Sequence, residues 1–193
     1  MSAEQLPGAE GPPLNVLLRE RIAIDDAGLG NMWPLFYDGE LFARVIDGLA
    51  APFAGQVDKV AGVESRGFVL GAAVATQLRV GFISIRKTDG LYPGETFDAF
   101  TAADYRGHHH TFRLQRAAVR EGERVGLVDD WFETGSQGLV ARQLLERAGA
   151  SYAGASIIVN QLSEEMRGAL APCHALVDAR ELHFPGSADW PTD

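Results

Sequence analysis

The chain has a single cysteine, Cys173, among 193 residues, which excludes an internal disulfide framework and fits a reducing compartment. No His-Asn constellation surrounds Cys173, so it reads as a small buried hydrophobe, not a nucleophile. Long apolar runs are also missing: nothing approaches the roughly 20 consecutive apolar residues that span a bilayer. The opening stretch MSAEQLPGAEGPP has neither a basic nor an apolar segment, and the expectation is a soluble, cytoplasmic protein with no membrane partner. Positive charge is in deficit, with 17 Lys and Arg against 26 Asp and Glu. A net charge of −9 argues against a nucleic-acid partner but leaves room for a local basic patch that holds a small anion. Neither a basic face nor a DNA-binding helix-turn-helix pattern is visible, and no internal repeat.

What is present is a substantial core for one domain, with 46% of residues hydrophobic. Residues 1–14 are rich in Pro, Gly and Glu without periodicity and read as a flexible arm; residues 15–193 read as a single domain. From Asp38, a plausible N-cap, Leu41, Phe42, Val45, Ile46, Leu49 and Phe53 recur at helical spacing. The run KVAGV is a short strand that ends at ESRG; Phe68 to Leu78 reads as a helix, and GFISIRK as a strand. Residues 88–110 read as irregular loop, and Thr111 to Gln115 as an edge strand or hairpin arm. The second half repeats the rhythm: strand RVGLVDD, helix Ser136–Ala148, strand ASIIVN, a short helix near Ser163–Leu170 and a final strand HALVD. Strands alternating with helices imply an α/β fold with a mostly parallel sheet covered on both faces. Ligands then bind beyond the carboxyl ends of the strands.

That rule draws attention to VGLVDDWFETGSQ, Val125 to Gln137. Asp129 and Asp130 stand at a strand's carboxyl end, and the turn Glu133-Thr134-Gly135-Ser136-Gln137 leads into a helix N-terminus. Free N–H groups and the helix dipole there suit a phosphate. The two carboxylates would repel that phosphate, but they suit sugar hydroxyls or the outer shell of a hard cation such as Mg²⁺. Phosphate on one side and hydroxyls on the other describe a sugar phosphate.

The same segment resembles the phosphoribosyl pyrophosphate (PRPP) signature of the type I phosphoribosyltransferases: a hydrophobic strand, two acidic residues and a Thr-Gly turn before a helix. VAGVESRGFVLGAAVATQLRVGFISIRK is similar to the matching stretch of the adenine phosphoribosyltransferase group, and PLFYDGELFARVIDGLA to its first helix. The likeness covers about residues 30 to 178, with order and spacing kept. It implies the fold of that family, with a small N-terminal hood and a mobile loop or hairpin. It further implies transfer of the 5-phosphoribosyl group from Mg²⁺-PRPP to a nitrogenous base of purine type, with pyrophosphate released, by a homodimer.

By this resemblance Asp129 and Asp130 hold the ribose hydroxyls, directly or through Mg²⁺, and Glu133 to Gln137 wrap the 5-phosphate. Glu64, Ser65, Arg66 and Gly67 form the loop that meets pyrophosphate, with Arg86 and Lys87 supplying positive charge. Asp104 and Tyr105 match the acidic-Tyr pair of the family's mobile loop, with Arg106 inserted beside them. Departures from the family concern Glu133, a negative charge beside a dianion unless it turns toward a group such as Arg142; Trp131 and Phe132, bulkier than the usual aliphatics; and Asp89-Gly90, where a lysine often follows the Arg-Lys pair. The base-recognition stretch Phe-Arg-Asp is replaced by Leu29-Gly30-Asn31, where Asn31 and the nearby Trp33 offer an amide edge and a stacking face. Adenine is therefore not assigned by the sequence. The alternative reading is a non-catalytic PRPP- or nucleotide-binding regulatory protein of the same fold. His108, His109 and His110 read as a solvated loop.

Overall fold

The structure, a computed structural model, describes residues 11–25, 30–87, 92–100 and 111–182. Its helices are α1 (Leu14–Arg21), α2 (Pro34–Tyr37), α3 (Gly39–Ala50), α4 (Arg66–Leu78), α5 (Ser136–Arg147) and α6 (Glu164–Ala169). Its strands are β1 (Ala23–Ile24), β2 (Gly30–Asn31), β3 (Lys59–Val63), β4 (Gly81–Lys87), β5 (Thr96–Phe100), β6 (Thr111–Gln115), β7 (Arg124–Phe132), β8 (Ser151–Asn160) and β9 (Cys173–Asp178). Seven strands form one sheet in the order β5-β6-β4-β3-β7-β8-β9. From β4 to β9 neighbours are parallel; β6 runs antiparallel to β4 and to β5. Strands β1 and β2 pair separately as a small antiparallel ribbon.

Both faces of the sheet are covered, which is why β7 and β8 read as nearly continuous apolar runs. On one face α3 and α4 pack Leu41, Val45, Leu49, Leu70 and Val74 with Val60 and Val128 of the sheet. On the other, α5 packs Val140, Ala141, Leu144 and Leu145 with Ala61, Leu127 and Ile157. Helix α3 starts where the sequence pattern places it: Asp38 caps it, its Oδ1 accepting from the N–H groups of Glu40 and Leu41 at 3.1 Å each. Such a cap contributes about 1 kcal/mol.

Glycine permits the closest helix–sheet approach. A Cβ on Gly62 of β3 would stand 2.0 Å from the Gly67 carbonyl oxygen, and one on Gly67 would stand 2.9 Å from Asp129 Oδ1. The first turn of α4 is thereby laid directly on the carboxyl ends of β3 and β7.

Three parts of the fold differ from the sequence expectation. Residues 88–110 are not all loop, because Thr96–Phe100 forms β5, whose whole length pairs with β6. That pairing buries Ala99 and packs Phe97 on the core, a long-range gain with little local signal. Strand β6 is accordingly a hairpin arm inside the sheet, and β5 takes the edge. Strand β7 continues past the aspartates through Trp131 and Phe132. Between Leu14 and Asp38 the chain forms α1, the β1–β2 ribbon and α2, which the sequence pattern leaves without elements.

Asp58 and Arg124 help tie the amino ends of β3 and β7. Asp58 accepts from the Arg124 backbone N–H and from Nη2, both at 2.8 Å, and from Nε at 3.2 Å. These hydrogen bonds, led by that from the Arg124 side chain, hold the Asp58 carboxyl down at about 2 from its ordinary 3.8. A depressed carboxylate stabilises the fold above its unfolded-state value and loses that contribution as pH falls from about 4 through about 2. Urea midpoints of wild type and Asp58→Asn should therefore differ at pH 6 and converge toward pH 2; a gap that stays constant with pH would refute this role.

Candidate active site

The carboxyl ends of β3, β4, β7 and β8 lie side by side, with the order of connection reversing between β3 and β7. Chain order thus places the site where open parallel sheets bind ligands. Asp129 and Asp130 are both buried there, with 8% and 6% of their surface exposed. Two adjacent carboxylates at that depth need compensation. Arg66, in the first turn of α4, supplies part of it through Nε, 2.5 Å from Asp130 Oδ2. Asp129 Oδ1 accepts from the Asp130 backbone N–H at 3.0 Å. Burial, and then the Asp130 charge, push the Asp129 carboxyl well above the usual carboxylate range.

Lys87 closes the same cluster from the end of β4. Burial lowers its ammonium from the ordinary value, while the charges of Asp129 and Asp130 pull it back up. Glu64 bonds to the end of β4: Oε2 accepts from the Lys87 backbone N–H at 3.0 Å and Oε1 stands 3.4 Å from Arg86 Nη2. Glu64 thereby fixes the end of β4 and the direction of Arg86, whose guanidinium also lies 5.8 Å from the Tyr92 ring centre. Ser65 is exposed at the α4 N-terminus, and Gly67 is buried against Asp129. Since Arg66 uses Nε for Asp130, its two terminal nitrogens have no protein partner among the described residues. They form a planar fork of the kind that binds two oxygens at once.

The phosphate-type turn is built from different means. Gly135 has φ 77°, the left-handed region, and precedes α5 as its N-cap. A side chain there would also meet Met166 Cγ at 2.4 Å and Leu162 Cδ2 at 2.7 Å, so glycine is required twice over. Thr134 Oγ1 and Ser136 Oγ are 3.1 Å apart, and Gln137 follows in the first turn of α5. N–H groups at the start of that helix lack intrahelical carbonyl partners, and Ser136 N–H donates to Thr134 Oγ1 at 3.4 Å. Glu133 is exposed. It does not pair with Arg142, which is occupied by Glu146 Oε1 at 2.8 Å and the Ala169 carbonyl at 2.7 Å.

Phe132 is core, as its apolar surroundings require, with its ring against Gly138. Trp131 leans toward the N-terminal ribbon, its Cζ3 2.5 Å from where a Gly30 Cβ would be. Asn31 and Trp33 are exposed on that same ribbon and the turn after it, with Asn31 Oδ1 accepting from the Trp33 N–H at 3.2 Å. Asp104, Tyr105, Asp89-Gly90, Leu29 and the His108–His110 run lie outside the described residues. The sequence reading passed over Gln161, which takes the Trp131 indole N–H on Oε1 at 2.8 Å. Its signal was available, since Gln161 directly follows the apolar run of β8 and therefore stands at a strand's carboxyl end.

Among the described residues no group of three or more His, Cys, Asp or Glu side chains could hold a metal ion by itself. The Asp pair nevertheless fits Mg²⁺ of the kind carried by a polyphosphate, which keeps waters and substrate oxygens and needs only one or two carboxylates.

A parallel sheet with acidic residues ending its central strand, an arginine loop ending the neighbouring strand and a glycine turn opening the following helix places this chain among the type I phosphoribosyltransferases. No family model matches the chain. It is 42% identical over 127 residues to an adenine phosphoribosyltransferase of Maricaulis maris, covering 65% of this chain and 71% of the relative. An adenine phosphoribosyltransferase of Brucella anthropi is 41% identical over 127 residues, covering 65% and 68%. Among solved structures, the adenine phosphoribosyltransferase of Rhodothermus marinus superposes with a TM-score of 0.75 at 28% identity, over 86% of this chain and 98% of its own. That of Saccharomyces cerevisiae, complexed with D-2,5-dideoxy-2,5-imino-altritol 1,6-bisphosphate and adenine, gives 0.75 at 27% identity over 84% and 98%. The chain belongs to the adenine phosphoribosyltransferase family.

Arg66→Met would leave the buried Asp130 carboxylate without its cation, and unpartnered buried charges are costly. Chemical denaturation at pH 7 should show a loss of about 2 kcal/mol; an unchanged midpoint would mean that Asp130 is compensated elsewhere.

Proposed function

We infer that the protein is a phosphoribosyltransferase that moves the 5-phosphoribosyl group of PRPP onto a purine base, releasing pyrophosphate. The observation that carries this reading is the buried Asp129–Asp130 pair faced by Arg66 and Lys87, joined to family membership. Adenine is the proposed base, in line with the relatives' names. In the reaction the bond from the anomeric carbon to the pyrophosphate oxygen breaks, and its electron pair leaves with pyrophosphate. A ring nitrogen of the base bonds to that carbon and gives up its proton.

Each residue has a proposed part in this exchange. Asp129 and Asp130 take the ribose hydroxyls and would be the residues to hold Mg²⁺, which would neutralise pyrophosphate charge. The turn Glu133 to Gln137 receives the 5-phosphate on backbone N–H groups, with Glu133 turned to solvent. Arg66 offers its free fork to pyrophosphate, and Arg86 and Lys87 add charge beside it, with Glu64, Ser65 and Gly67 shaping the loop. Fixed cations aimed at the leaving group stabilise the separated charges of the transition state more than the bound substrate. Asp104 with Tyr105 is the proposed acceptor of the base proton, and Asn31 and Trp33 flank the base. The cytoplasm is the proposed location, supported by the lone cysteine.

We also propose a homodimer through the outer side of α4 and β4. Val69 is 45% exposed and Phe82 36%, with the Phe68 ring edge-on to Phe82 at 6.0 Å, which makes an apolar patch. Sedimentation should give twice the 20.8 kDa chain mass, and Phe82→Glu should halve it. A wild-type monomer would refute the dimer, and an unaffected variant would refute this face.

Titration of Mg²⁺-PRPP into the protein should show saturable, magnesium-dependent heat, and adenine should then yield adenosine monophosphate and pyrophosphate. The double variant Asp129→Asn/Asp130→Asn should lose at least about a hundredfold in turnover. No binding at millimolar PRPP would sink the assignment, whereas binding without turnover on any purine would favour the regulatory alternative.

A further inference from the structure

We propose that Gln161, oriented by Trp131, reads the edge of the incoming base and selects a 6-aminopurine over a 6-oxopurine. This rests on the reading of the site as a purine phosphoribosyltransferase and names the residue that sets its preference.

The placement comes from three contacts. The Gln161 backbone N–H donates to the Phe132 carbonyl at 2.9 Å, which binds the residue to the end of β7 just beyond the aspartates. Its neighbour Leu162 packs on the phosphate-type turn, 2.7 Å from where a Gly135 Cβ would be. Its side chain meets Trp131, whose ring in turn packs on Gly30 of the hood ribbon. Gln161 therefore stands where the ribose site, the phosphate turn and the hood converge. Once ribose and phosphate are seated, the hood side is the wall left for the base. Gln161 also borders a cavity of about 190 Å³ on its other side, lined with Leu162, Glu164, Arg167, Asp178 and Arg180.

The chemistry comes from the indole. An indole N–H only donates, so the amide atom 2.8 Å from Trp131 Nε1 is an oxygen, Oε1, which fixes the amide orientation. Oε1 keeps a second lone pair, and Nε2 has no partner among the described residues. An acceptor beside a donor, held in fixed order, complements the amino donor and ring-nitrogen acceptor of adenine. A 6-oxopurine carries an acceptor, O6, in place of the amino donor, and that oxygen would face Oε1 whichever ring nitrogen lies beside it. Flipping the amide to meet it would set the NH₂ group against the indole N–H, donor against donor. Trp131 thus acts as a positioning residue, and specificity arises as much from the repelled base as from the accepted one.

Steady-state kinetics of the full chain with adenine and with hypoxanthine, varying base and PRPP separately, test this. Gln161→Leu should raise the adenine KM about ten- to a hundredfold, the scale of one bidentate contact, with the PRPP KM unchanged. Trp131→Phe keeps the ring but removes the N–H, and should narrow the adenine-to-hypoxanthine ratio of kcat/KM at least about fivefold. Should Gln161→Leu fail to fold, Gln161→Glu keeps the size, replaces the donor by an acceptor, and should give the same selective rise. Wild-type turnover of adenine combined with an unmoved adenine KM in the variants, or an equal rise in the PRPP KM, overturns this assignment alone. Absence of wild-type turnover with any purine overturns the underlying reading as well.

Discussion

Two neighbouring carboxylates buried at the end of a central strand are the constraint to which the rest of this site answers. Neither Asp129 nor Asp130 would be stable there without help, because burial penalises each charge and each charge penalises the other. The compensating groups arrive from two neighbouring elements: Arg66 from the start of α4 and Lys87 from the end of β4. Their arrival depends on glycine at 62 and 67, since any side chain there would lift α4 off the strand ends. A packed apolar core of the same volume would be no less stable, which is the physical argument that this cluster is kept for what it binds.

The surrounding charges follow a similar logic. An acidic chain concentrates Arg66, Arg86 and Lys87 at the carboxyl ends of β3 and β4, and Glu64 holds two of these positions in place. Partial neutralisation leaves the terminal nitrogens of Arg66 and the ammonium of Lys87 as donors with defined direction. Opposite them, the turn at Gly135 offers backbone N–H groups without a side-chain cation, a cradle suited to a phosphate. The strand ends thus carry three chemically distinct surfaces: a buried carboxylate pair, a group of cations and a glycine turn at a helix N-terminus.

The N-terminal ribbon joins the site through Trp131. Trp131 fills the space beneath Gly30 and hands its only polar atom to Gln161, so the hood, β7 and β8 become one connected wall. Trp131 thus packs on the core and joins the end of β7 to β2 and to the residue that follows β8.

Much of this architecture was legible from the sequence. The period of α3 and its Asp38 cap, the apolar runs of β3, β7 and β8, and the Thr-Gly turn before α5 are local signals, because each depends on residues a few positions apart. The paired aspartates could also be placed at a strand end by pattern alone. Strand β5 could not, since its apolar contacts are made only on pairing with β6. Nor could the sequence tell that Arg66 spends one nitrogen on Asp130, that Glu64 restrains Arg86, or that Trp131 meets Gln161 30 positions later. Periodicity and turn chemistry determined which elements form and in what order; the partners of each charge were decided only when the parallel sheet set distant strand ends a few ångströms apart.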